Sequence, residues 1–241
     1  MESVRNFVKL YRKLSDGILA PKEARHQLAA DKIVWVKPID ITFKVFSERA
    51  LKLGGVMEGD WDQKIKPIVE TFKYKSMVQH FVGGAPWEET DIFRKVYQSR
   101  LAEEGCVLDC SNINQLKDRY ESRIDPLYQD MKCNGFVVIL DKNGKAIDIP
   151  HVHIGRDGTI LFGNRGNHRL AIAKLLKLDY IPAHVRTRHK KWEELRNELA
   201  KSPPRSRTHL ITPDLAYHAD LLDLLGHAPP ARPKTRSNPK R

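Results

Sequence analysis

The stretch from residue 151 to residue 189 constrains this chain most, because the spacing of its apolar residues changes character several times within it. HVHI at 151–154 and TILF at 159–162 are short runs rich in β-branched and aromatic residues. Arg156-Asp157-Gly158 between them is turn chemistry, so the pair reads as a hairpin. GNRGNHR at 163–169 then opens an apolar run with helical spacing, which continues to about residue 178. IPAHVRTR at 181–188 returns to strand character.

The glycine-rich opening of that helix carries the main chemical signal. Gly163 and Gly166 permit positive φ and close approach of a ligand to the backbone. The first N–H groups of a helix have no intrahelical acceptor, and the helix dipole favours an anion beside them. Arg165, Asn167, His168 and Arg169 add polar donors at the same end, and arginine can grip a phosphate bidentately. This pattern predicts a phosphate cradle. The alternative is an ordinary helix start capped by Asn164 or Asn167, with Arg169 in a surface ion pair. Neither a P-loop, which needs G-K-[ST], nor a dinucleotide GxGxxG is present.

Elsewhere the chain divides by periodicity. Residues 1–30 read as a helical segment, and IVWV at 33–36 as a strand ended by Pro38. Residues 60–132 read as a helical insertion with helices over 64–81, 88–105 and 113–133. Ser111 or Asn112 is placed to cap the third. FVVIL at 136–140 is a strand, followed by the turn Lys142-Asn143-Gly144-Lys145. KKWEELRNELA at 190–200 is an amphipathic helix. A linker and short helix follow over 201–226, and the basic, proline-rich residues 227–241 read as a disordered tail.

The 241 residues carry 42 Lys and Arg against 30 Asp and Glu, a net charge of +12, which favours polyanionic partners. The three cysteines, Cys106, Cys110 and Cys133, are an odd set. With no apolar leader in the first residues, they point to reduced thiols and a cytoplasmic protein. No run of 18 apolar residues occurs, so no membrane span is expected.

Gly166-Asn167-His168-Arg169-Leu170-Ala171, after a strand and an Asp-Gly turn, resembles the helix-opening motif of the ParB/sulfiredoxin-like superfamily. The similarity covers roughly residues 153–192 well, and IVWVKPIDI at 33–41 adds a first core strand. It implies an α+β fold, with a small mixed sheet or partial barrel from residues 31–59 and 133–200 and the insertion at 60–132 outside it. It also implies that the helix N-terminus holds nucleotide phosphates. In sulfiredoxins a catalytic Cys stands where this chain has Asn167, so that chemistry is excluded here. ParB clamps have Arg where this chain has His168 and Ala171, which argues against a CTP clamp. The carried-over residues are Gly166, His168 and Arg169.

Three other sets of residues are candidates. Asp60 and Asp62 in GDWD, preceded by Glu58, suit either a Mg²⁺ site beside substrate phosphates or a helix cap ahead of Ile65. His151 and His153 share a strand face, with His168, His184 and His189 nearby. They suit a histidine metal site or ordinary polar positions, and no metal set is assigned. Arg186, Arg188, Lys190 and Lys191, with Trp192 following, suit nucleic-acid contact or a solvated strand end. The leading expectation is a nucleotide-binding protein, with a nucleoside triphosphate and Mg²⁺ as cofactors and phosphotransfer or nucleotide hydrolysis as its chemistry. In it Gly163, Arg165, Gly166, Asn167, His168 and Arg169 hold phosphate, while His168, Asp60 and Asp62 are catalytic. The alternative is a DNA-binding, non-catalytic module or a ParB-like nuclease.

Overall fold

The computed structural model describes residues 32–46, 51, 55–144, 146–230 and 234–237. The helical expectation for residues 1–30 lies outside them. Sheet and helices together make a mixed α/β architecture.

The spine of the main sheet is β9 (Ile181–His189), buried at all but two positions, as a strand covered on both faces must be. β1 (Ile33–Val36) runs antiparallel to its first half, and β3 (Gly55–Met57) runs parallel to its last three residues. On the other side lies β7 (His151–Ile154), parallel to β9 with an irregularity between Val152 and His153. β7 forms the expected hairpin with β8 (Ile160–Phe162). β8 pairs with β2 (Phe43–Val45), and β2 with β4 (Ile65–Pro67). The path β1-β9-β7-β8-β2-β4 does not return on itself, so the described residues form an open mixed sheet and no closed barrel.

β4 lies inside the segment expected to be wholly helical. Pro67 has no N–H to give a helix, and Thr71 accepts the Tyr74 N–H, so α1 starts only there (Phe72–Phe81). Residues 88–105 form a short 3-10 turn and then a π turn (Phe93–Tyr97) that runs into α2 (Gln98–Glu104). α3 (Ile113–Asn134) follows expectation, with the Asn112 side chain accepting the Gln115 N–H at 3.0 Å.

α4 (Asn167–Leu175) sits at the centre. Leu170, Ala171, Ile172 and Ala173 are all buried, four consecutive positions that point around the whole helix circumference. α1, α3 and the turn at Pro38–Asp40 pack against it, and Val36, Phe162 and Ile181 from the sheet share its core. The insertion is therefore no separate domain, because Met77, Trp87, Phe93, Leu116 and Tyr120 join Ile172 and Val185 in one core.

α5 (Lys190–Lys201) returns along β9, and residues 204–226, ending in α6 (Leu222–Leu225), close over it. A second small sheet pairs β5 (Val137–Leu140) with β6 (Ala146–Ile147) around the expected turn. Within the tail expected to be disordered, Lys234–Ser237 forms β10, parallel to β5. The open edge of β5 offers the unpaired backbone groups that make this pairing favourable. No helix among the described residues is long and apolar enough to cross a membrane.

Candidate anion-binding site

The loop before α4 is held by β7. The Gly163 N–H donates to His151 O at 2.8 Å, and the His151 N–H donates to Arg165 O at 3.1 Å. Gly166 is the N-cap residue, with φ +82°. A Cβ there would stand 2.6 Å from Pro150 Cα, so only glycine fits. Gly163, by contrast, is absent from the left-handed residues and contributes through its N–H. Among the described residues no side chain caps the helix. Asn164 Oδ1 accepts from Lys44 Nζ at 2.6 Å, and Asn167 Nδ2 donates back to Asn164 O. The capped-helix alternative is therefore not what forms, and the first-turn N–H groups of α4 stay open to a ligand.

Those groups face a cleft of about 530 Å³ between α4 and α3, a volume typical of small-molecule sites. Arg165, His168 and Arg169 line it. Lys73 from α1 and Arg119 and Arg123 from α3 were not expected. None of the five cations has a carboxylate within ion-pair distance among the described residues. Among the described residues the one carboxylate lining the cleft is Asp148. An anion entering the cleft would therefore meet cations from three elements at once.

Burial tunes the individual groups. It lowers the pKa of Lys73, and also that of Arg169, whose guanidinium lies over the Phe136 ring and donates to Val137 O at 3.3 Å. His168 is pushed down to about 4 by burial and by the Lys73 charge, so it is neutral at pH 7. Its ring stands edge-on to Tyr120, and its Nε2 is sealed from solvent with no partner among the described residues. A neutral imidazole in that state can donate to a phosphate oxygen. As a general acid it first needs an anion to raise its pKa.

Other expected residues lie elsewhere. Asp60 and Asp62 do not reach the cleft. They clasp the β7–β8 turn, at the end of the hairpin opposite α4's N-terminus. Asp62 takes the Arg156 N–H at 2.8 Å and its guanidinium at 2.7 Å, and Asp60 takes the same guanidinium at 2.7 Å. Burial opposes ionisation of Asp62, but the Arg156 bonds win and hold it below the usual carboxylate range. The cap alternative also goes, since Ile65 opens a strand. The physical reason is local: Trp61 packs on His153 and His189, fixing both acids beside the turn.

Arg188 is corrected too. It is 2% exposed and paired bidentately with buried Asp220 at 2.7 Å, so it serves the interior and no nucleic acid. Lys190 is exposed and pairs with Glu58, Lys191 is exposed, and Arg186 is half-buried. His151 sits against His184, while His189 bonds Gly59 O. No group of three metal-ligating side chains occurs among the described residues.

Arg119 and Arg123 are one helical turn apart and so share a face of α3. That spacing is visible in the sequence; what the face meets is not. Asp148 has φ +59°, a left-handed conformation that aspartate tolerates, and nothing in the sequence marks it. No family model, curated protein or solved structure matches this chain.

Proposed function

We propose that this chain binds a phosphate-bearing ligand, a nucleotide by class, in the cleft at the N-terminus of α4. The observation that carries the reading is the convergence of five cations without acidic partners on an uncapped helix start. Resemblance of GNHRLA to the ParB/sulfiredoxin-like helix opening supports it from the sequence side, and a fold of that type is part of the same proposal. Arg169 and Arg165 grip phosphate, Gly166 lets the backbone turn beneath it, and neutral His168 donates from below. The Mg²⁺ role passes from Asp60 and Asp62 to Asp148, which stands among the phosphate ligands. Mg²⁺ typically takes one or two carboxylates together with phosphate oxygens. Phosphotransfer or nucleotide hydrolysis is the chemistry such an arrangement suits.

Thermal shift and calorimetry with ATP, CTP and GTP, each with and without Mg²⁺, test this. A stabilising shift is expected that is lost in Arg169→Ala and weakened in Arg123→Ala, and whose Mg²⁺ dependence is lost in Asp148→Asn. A shift that survives Arg169→Ala and Arg123→Ala unchanged, or no shift at low salt, sinks the reading. DNA binding rests on the net charge of +12 and exposed Lys191, since Arg186, Arg188 and Lys190 are partly buried or paired. Duplex DNA binding that competes with no nucleotide would favour it.

A further inference from the structure

The cleft has an apolar side that a bare phosphate does not need. Besides the cations, Leu108, Ile124 and Leu127 line it. Leu108 is the unusual member. It belongs to a tight turn closed by two bonds, Val107 N–H to Cys110 O at 2.8 Å and Cys110 N–H to Val107 O at 3.0 Å. Its two central residues are both left-handed, Leu108 at φ +52° and Asp109 at φ +62°. Turns of this kind call for Asn or Gly at those positions. Aspartate accepts that backbone, whereas leucine is sterically strained in it.

Nothing in the core repays the strain. Val107 and Cys110 are buried and pin both ends of the turn, but Leu108 itself is 43% exposed. A strained, half-exposed leucine on a pinned turn, beside unneutralised cations, is a residue held in place for contact with something other than the protein.

We infer that Leu108 is the wall of a second subsite, which receives the flat organic part of a phosphate ester while the cations hold its phosphates. The ligand class is therefore a nucleoside phosphate, with its base against Leu108 and Leu127, and not an inorganic polyphosphate. The inference rests on the anion reading of the same cleft and adds what selects among anions there. Leu108 contributes discrimination, and the cations contribute the bulk of the affinity.

Calorimetry with ATP and with inorganic triphosphate, on the wild type, Leu108→Gly and Leu108→Asn, decides it. Both substituents accept the left-handed backbone, so both variants are expected to melt at or above the wild-type temperature. The wild type is expected to prefer ATP over triphosphate by about tenfold, roughly the value of one well-buried apolar contact. In both variants that preference falls to within about twofold, while triphosphate affinity stays the same. Equal affinity of the wild type for the two ligands overturns the subsite and leaves the anion site standing, and so does an unchanged preference in both variants. Binding of neither ligand overturns both.

Discussion

Replacing Gly166 by alanine isolates the contact that shapes the candidate site. Two costs add. The first is conformational, since φ at Gly166 is +82° and a Cβ in left-handed backbone costs about 1–2 kcal/mol. The second is steric, because the new Cβ would lie 2.6 Å from Pro150 Cα and 2.9 Å from Pro150 N. That backbone has little room to retreat. Pro150 O accepts the His184 N–H at 2.8 Å, and the neighbouring His151 is bonded twice to the loop. Overpacking of this kind costs about 1–3 kcal/mol, for a total of roughly 2–5 kcal/mol. Gly144→Ala is the internal control: its φ is +75°, yet nothing lies within 4 Å of the added Cβ, so only the conformational cost applies. At about 2–4 °C per kcal/mol for a chain of this size, Gly166→Ala should lower Tm by on the order of 10 °C. Gly144→Ala should lower it by about half that or less. Paired urea melts give the free energies, and nucleotide titration of the two variants should show affinity lost in the first alone. Equal destabilisation by the two substitutions would refute the claim that Pro150 dictates glycine at position 166.

Asp62→Asn should lower the melting temperature, because it removes the charge that the Arg156 guanidinium and N–H converge on. It should also leave nucleotide affinity within about twofold, and a large loss of affinity would return GDWD to the site. Asp220→Asn strands buried Arg188 and should cost about 3–5 kcal/mol in urea melts at pH 7. The Asp220 carboxyl is buried, which opposes its charge. Even so, Arg188, Arg196 and Lys32 hold it far below the ordinary range. Its stabilisation is thus present above its unfolded pKa near ~4 and lost as pH falls below that, so the gap between variant and wild type should narrow in acid. His168, lowered to about 4 by burial, is the opposite case of a base. The unfolded chain takes up a proton below about 6.5 that the folded chain refuses, so stability falls as pH drops from there toward 4. His168→Gln should make that slope shallower by up to about 1.4 kcal/mol per pH unit; an unchanged slope would mean the imidazole is not buried as described.

The parts of the fold that were legible were those with local causes. The β7–β8 hairpin follows from Arg156-Asp157-Gly158, the α3 cap from Asn112, and the opening of α4 from its glycine loop. Misreadings fell where a neighbour overrode local pattern. Residues 65–67 have apolar spacing compatible with a helix, but β2 offered an edge and Thr71 offered a later start. Lys234–Ser237 is polar and basic, yet the free edge of β5 recruits it.

From the sequence alone come the helix-opening loop, its glycine and its three donors Arg165, His168 and Arg169, because the geometry of a helix start is written into consecutive residues. The tertiary structure alone decided who faces that loop. Lys73, Arg119 and Arg123 enter from helices 40 to 90 residues away, Asp148 and Leu108 arrive on turns, and Arg188 leaves for Asp220. Charge carries no periodicity that says whether a side chain meets solvent, a partner or a cleft. Only the packing of α1 and α3 on α4 brings scattered cations to the lining of one cleft.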